Sequence, residues 1–303
     1  MKQFLLLVFL TAQSFFCFSQ NKISLAEDSL KILGTQFTSD SIETNRIRAN
    51  YDFIRMFVNS LKEKNSFSNP YNQLSSFISI KKSDDNKFRI FSWFTQLDNG
   101  DYRYYGAIQV NNPQKLELYP LVDNTQNLKL TTNIADTTLQ TNQWYGSVYY
   151  QILPVLGIKN PYYILFGWKG KTLQSNAKVL ETLSFNSGTP LFGNHVLEDT
   201  KKPNDFHARV IFDYTKDADM MLKYVKNDKL IVFDHLVAPS DQLKGMTDLY
   251  APDASYDGYK FKSGKWVYQE NLKLKNQPEI SDELFIDPAK DSQNTMPVIK
   301  EKQ

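Results

Sequence analysis

Cysteine is almost missing from this chain: Cys17 is the one thiol in 303 residues. A disulfide framework and a thiolate metal site are therefore excluded. Histidine is nearly as scarce, with His195, His207 and His235 only. No two of them sit at metal-ligand spacing, and no His-Glu-x-x-His occurs, so a zinc-hydrolase helix is absent. The 12 glycines form neither a Gly-x-Gly-x-x-Gly nor a Walker loop, and no Gly-x-Ser-x-Gly elbow is present. Phosphate cradles and the common serine-hydrolase turn drop out with them. Neither sign of charge dominates, with 35 basic against 33 acidic residues. Nothing argues for nucleic acid or an anionic membrane surface as a partner. No apolar run approaches the ~20 residues of a membrane-spanning helix.

What is there begins with a leader. Lys2 is followed by an apolar run from Phe4 to Leu10, then by Cys17 and Ser19 as small residues two apart. That order is a secretory signal peptide cleaved between Ser19 and Gln20. The mature chain then has no thiol, no transmembrane span and nearly balanced charge. It is expected outside the cytoplasm: periplasmic, on the outer surface or extracellular. At 14% aromatic, the chain favours strands and is expected to expose some rings as contact anchors.

The rest reads as a helical lead on a β body. Ser24 and Glu27 match a capping box, Leu30, Leu33 and Phe37 share a face, and Gly34 is placed to stop that helix. Asp40 with Glu43 opens a second helix over 41–64, with Ile47, Tyr51, Ile54, Val58 and Leu61 as its apolar stripe. From Phe77 the period changes to two. Runs at 77–82, 87–95 and 102–110 alternate with turns and read as a meander. Lys115 to Tyr119 is a fourth strand ended by Pro120, and 122–142 is a long loop. Further runs fall at 147–153, 162–168 and 178–185. Those at 208–214, 220–225 and 229–237 read as a second meander, and 259–262 pairs with 265–268. About a dozen strands joined by short turns must pair antiparallel. The expected organisation is a signal peptide at 1–19, one helical-lead plus antiparallel β domain at 20–275, and a mobile polar tail at 276–303.

No residue earns a catalytic, cofactor-binding or metal-binding assignment, and no cofactor is implied. His235 follows Asp234, but neighbours on a strand point to opposite faces, so Asp234 cannot orient it. Any acid for that imidazole must come from another strand. Two acidic segments, 98–101 and 253–258, carry closely spaced oxygen ligands. Neither has the length or closing Glu of an EF-hand loop, and Asp, Asn and Gly are what turns require.

Several runs taken together carry a resemblance: FRIFSW at 88–93, YYGAIQ at 104–109, WYGSVYY at 144–150, YILFGW at 163–168, IVFDHL at 231–236 and PDASYDG at 252–258, with Lys265 and Trp266 after it. Over residues 70–275 the chain resembles a group of exported β-rich proteins of Bacteroidota-type bacteria that has no assigned activity. The resemblance implies an envelope setting in a Gram-negative cell. It also implies O-glycosylation at Asp-Ser/Thr sites such as Ser29, Ser41 and Thr137. The combined expectation is an exported protein acting by binding or assembly, with an envelope protein or a glycan as partner. The alternative is an exported hydrolase of glycans or peptides using carboxylates with His207 or His235. Intact mass of the exported protein checks the processing step: the expected product starts at Gln20, and a product retaining Met1 or carrying lipid on Cys17 contradicts it.

Overall fold

In a computed structural model, residues 22–131 and 133–273 are described. The leader at 1–19 and the tail at 276–303 lie outside the described residues. Helix α1 spans 22–39 and buries Ile23, Leu30 and Phe37, seven residues apart, along one side. Gly34 does not end it. A Cβ there would come within 2.6 Å of the Phe77 ring, so this glycine is a point of close approach. The expected capping box at Ser24 does not form, because the helix is already under way at 22. Glu27 instead accepts the backbone N–H of Gln73 at 3.3 Å.

Helix α2 (Glu43–Leu61) follows. Asp40 accepts the backbone N–H of Ile42 at 2.8 Å, and Glu43 reaches across to the N–H of Asp98 at 2.6 Å. The buried stripe is not the expected one. Ala49, Phe53, Phe57 and Leu61 face inward, while Tyr51 is 50% exposed and Ile47, Ile54 and Val58 are half-buried. Two apolar stripes compete on this helix, and the one carrying two phenylalanines wins because it buries more area. Phe53 packs edge-on against Phe37 at 5.1 Å and Trp93 at 5.8 Å, and Phe57 against Phe91 at 4.9 Å.

The helices cover a four-stranded antiparallel sheet ordered β1 (Ser79–Lys82), β2 (Phe88–Gln96), β3 (Tyr102–Val110), β4 (Glu117–Val122). Alternation divides it. Phe91 and Trp93 face the helices, whereas Phe88, Ile90, Tyr104 and Ile108 face a larger core. Pro120 sits inside β4 rather than ending it, which an edge strand tolerates. The segment expected as a loop holds a short helix α3 (Thr125–Thr131) and strand β5 (Leu139–Gln140).

A second sheet packs on the inner face of the first. Its order is β5, β9 (Thr189–Phe192), β8 (Ser175–Asn186), β7 (Tyr162–Gly170), β6 (Val148–Val155), and β12 (Arg209–Thr215) also pairs with β8. β8 is long enough to take β12 along 175–181 and β9 along 183–186 on one edge. The expected three-stranded meander over 208–237 is therefore split: β12 belongs to this sheet, and the next two strands to the third. That third sheet runs β11 (Phe206–His207), β10 (Leu197–Glu198), β16 (Lys265–Gln269), β15 (Ala251–Lys262), β14 (Leu230–Val237), β13 (Leu222–Val225). Pairing is antiparallel except for one β10–β16 contact. Residues 253–258, expected as a turn, lie within β15. The protein is thus α+β and mainly β, with N-terminal helices on an antiparallel body. Among the described residues no helix is long and apolar enough to cross a membrane.

Denaturant titration checks the helix orientation. Phe53→Ala is expected to cost about 3–5 kcal/mol, and Tyr51→Ala to shift stability by less than about 0.5 kcal/mol. The reverse ranking would restore the stripe through Tyr51.

Candidate functional site

Strand β3, the end of β4, the start of α3 and the end of β7 enclose an open cleft of about 480 Å³. Its walls follow from strand alternation. Tyr102 and Tyr104 share one face of β3, and Tyr104 donates its hydroxyl to the Gly170 carbonyl at 2.8 Å. The Tyr102 ring lies against the backbone of Gly170, where a Cβ would come within 2.4 Å of it. Behind it, Lys216 Nζ donates to the Tyr102 hydroxyl at 3.3 Å. Asp123 holds the turn from β4 into α3 by accepting the backbone N–H groups of Tyr104 and Thr125, each at 3.0 Å, and the Thr125 hydroxyl.

The cationic side chains of the cleft are largely engaged. Lys169 is buried and donates to the carbonyls of Tyr145 and Gly146 at 2.7 and 2.6 Å and to Thr125 Oγ1 at 3.0 Å. Its ammonium also sits 4.2 Å from the Tyr104 ring centre and 4.5 Å from that of Tyr145. Lys171 bridges Asp213 at 2.8 Å and Asp248 at 2.9 Å, and these carboxylates outweigh burial to raise its pKa. Asp101 and Arg103 line the cleft with opposite charge, beside Asn124, Gln126 and Asn127.

Behind the cleft, on the same face of the second sheet, lies an ionic network with no exposed surface. Glu181 and Arg209 are 0% exposed and pair at 3.1 Å across β8 and β12. Tyr149 donates to Glu181, and Trp144 Nε1 donates to Tyr149 at 2.7 Å. Arg209 also donates to the carbonyls of Ile134 and Thr137. On the other face of β8, Lys178 is buried 4.8 Å from the Tyr150 ring centre. Burial lowers its pKa to about 8, against the pull of Asp219 and Asp234. Glu181, Arg209 and Lys178 were not singled out in the sequence; Trp144 and Tyr149 entered it only within the 144–150 run. The available signal was a charged residue inside an apolar strand: Lys178 and Glu181 interrupt the run from 175 to 186.

The three histidines do not meet at the cleft. His195 is exposed. His207 on β11 hydrogen-bonds Asp136 through Nδ1 and Asp199 through Nε2, the latter at 2.9 Å. Both ring nitrogens can donate only in the imidazolium form, which the two flanking carboxylates favour, and neither nitrogen is left for a substrate. His235 differs. Its Nδ1 lies 2.7 Å from Asp257, which also accepts from the Tyr268 hydroxyl at 2.6 Å and from Asn271 N at 2.9 Å. Asp257 comes from the neighbouring strand β15. Asp234 turns away to accept Met221 N at 2.7 Å. The β14–β15 register shifts between Asp234 and Leu236, and Ala254 opposite has φ +70°. This bulge leaves His235 partly exposed.

The two acidic segments are occupied by protein. Asp98 pairs with Arg46 at 2.5 Å, and Asn99 donates to Asp101 at 3.0 Å. Asp253 accepts from Ser255 N at 2.9 Å and Ser255 Oγ at 2.6 Å. Among the described residues no group of three or more His, Cys, Asp and Glu is placed to hold a metal ion. The aromatic residues, expected in part on the surface, fill the core: Tyr51 and Phe261 are the aromatics among the exposed large hydrophobics, against Trp144, Tyr71, Tyr145, Tyr149 and Tyr259 fully buried. Comparison with protein-family models, with curated proteins and with solved structures gives no match in any of the three.

The His207 clasp sets a pH dependence. Burial lowers the imidazole pKa, but hydrogen bonds to Asp136 and Asp199 outweigh it and leave the pKa above 6.5. A group whose pKa is raised on folding stabilises fully below its unfolded value and loses that stabilisation as pH climbs through the folded one. Stability is expected to decline from about pH 6.5 upward, and His207→Gln to flatten that slope. Denaturation midpoints across pH check this; an equal slope in the variant would place the titration elsewhere.

Proposed function

We propose that this is an exported envelope protein that acts by binding or assembly, and that the β3–β4–β7 cleft holds its ligand. The observation that carries the reading is the state of the charged groups. Lys169, Lys171 and Asp123 line a concave site, yet each is already engaged by protein groups. Catalytic acids, bases and nucleophiles need a free proton site or lone pair within reach of substrate. Side chains held in this way shape a receptor better than they perform chemistry. The leader argues for export, and the cleft for a small or extended ligand.

A second reading, a hydrolase of glycans or peptides, draws on one observation. His235 is oriented by Asp257 through Nδ1, which leaves Nε2 for a proton, as in acid–histidine pairs that serve as general bases. Among the described residues Asp257 is the hydrogen-bond partner of His235 and no serine or threonine hydroxyl bonds its ring, so the binding reading is preferred.

A photo-reactive residue at Gln126, used in the protein within its own envelope, tests the site. Gln126 is exposed at the cleft. Asn160, exposed just before the other end of β7, is the control; β7 itself spans roughly 26 Å at ~3.3 Å per strand residue. Adducts from position 126 well above those from 160 are expected. Equal yields from both would refute the cleft as the ligand site.

A further inference from the structure

We infer that the cleft takes a neutral, hydroxyl-rich chain, that is, a glycan segment, rather than an anion or a charged peptide. The inference rests on the cleft being the ligand site. Its basis is the pattern of satisfied and unsatisfied groups. Selective sites for anions present donors with charge to spare, typically arginine forks or lysines free to turn toward the ligand. Here the Lys169 ammonium is turned inward onto two carbonyls and the Thr125 hydroxyl. Lys171 is shared by two carboxylates. Arg103, the remaining cation of the lining, is engaged by the hydroxyls of Tyr51 and Tyr105, and the carboxylates of Asp101, Asp123, Asp213 and Asp248 offset the three cations for an incoming anion.

What the cleft offers instead is amides and a ring. Gln126 lines it, as does Asn124, whose Oδ1 already accepts from Asn127 at 2.8 Å, and an amide both donates and accepts. A hydroxyl does the same, whereas a phosphate or carboxylate only accepts. Tyr102 is half-exposed and is fixed by its contacts with Gly170 and Lys216. A fixed aromatic wall with a polar tip suits a ligand that has apolar C–H faces and polar edges. Sugar rings have that construction. The volume of about 480 Å³ and the open shape fit a few residues of a chain passing through rather than an enclosed monomer.

Calorimetric titration of the full mature protein decides the class. The probes are neutral hexasaccharides of β-1,4-glucose, β-1,4-N-acetylglucosamine, β-1,4-xylose and α-1,4-glucose, with a heparin hexasaccharide and inorganic phosphate in parallel. At least one neutral chain is expected to bind. Its affinity should be nearly unchanged between about 50 mM and about 500 mM NaCl, because no ionic contact is screened. Gln126→Ala, a change at an exposed residue that leaves the fold intact, should weaken it about three- to tenfold, the effect of one lost hydrogen bond, while Asn160→Ala should not. Binding of heparin or phosphate that salt abolishes and Gln126→Ala weakens would overturn the glycan assignment and keep the cleft. Neutral-chain binding indifferent to Gln126→Ala would overturn both. Absence of binding by every probe would overturn the glycan assignment and leave the cleft to the cross-linking yields.

Discussion

The body of this protein is organised by one buried ion pair, Glu181 with Arg209. Both side chains are completely enclosed, and the cost of burying them is only partly offset, since Arg209 Nη2 has no hydrogen-bond partner among the described residues. The pair joins β8 to β12, the strand that local order alone would have assigned to the following sheet. Arg209 reaches on to the carbonyls of Ile134 and Thr137 and so fastens the irregular segment before β5 over the sheet. Tyr149 and Trp144 extend the same network into β6 and the segment before it. The residues between, Tyr145 and Gly146, supply the carbonyls that fix Lys169. The cleft therefore stands on a chain of contacts that starts at a charge pair with no access to solvent.

Tyrosine does much of the remaining work. Its ring contributes apolar area, and its hydroxyl can satisfy a carbonyl on a strand it does not pair with. Tyr150 donates to Leu222 O at 2.7 Å and Tyr259 to Glu198 O at 2.9 Å, each linking different strands, and Tyr162 to Gly264 O at 2.9 Å in the β15–β16 turn. This explains how a chain rich in aromatic residues spends them inside. The same logic covers Arg89, buried under the helices without a carboxylate partner. It donates to Ser66 O, Asn69 O and Gln109 Oε1 and lies 4.8 Å from the Phe91 ring centre. Burial lowers its pKa to about 10, yet it remains a cation at neutral pH, held by carbonyls and rings.

The helical lead and most strands were legible because period and turn chemistry are local properties. The strand over 102–110 is reproduced residue for residue, since Asp98 to Asp101 forms the expected turn and Tyr104 and Ile108 alternate inward. Helix α2 was legible as a helix but not in orientation. Choosing between a Tyr51 and a Phe53 stripe requires knowing that Trp93, Phe91 and Phe37 wait on the other side. The role of Gly34 was misread for the same reason: a glycine admits a turn or a neighbour, and only Phe77 tells which. Sheet membership of β12 depends on Glu181, 28 residues away. The site was the least legible part. His235 needed an acid from another strand, and Asp257 supplies it from a segment whose composition spelled a turn. Lys169 was not singled out and Asp123 fell within the segment expected as a loop, because what defines them is contact with Tyr145 and Thr125.

The buried charges serve the architecture of the body. The most direct test is the stability of Glu181→Gln and Arg209→Met, each made alone and unfolded with denaturant at neutral pH. Breaking one side of a buried pair strands the other, so each variant is predicted to lose about 3–5 kcal/mol. A variant that folds with wild-type stability, within about 0.5 kcal/mol, would contradict the account, because the pair would then be free to serve something other than the fold.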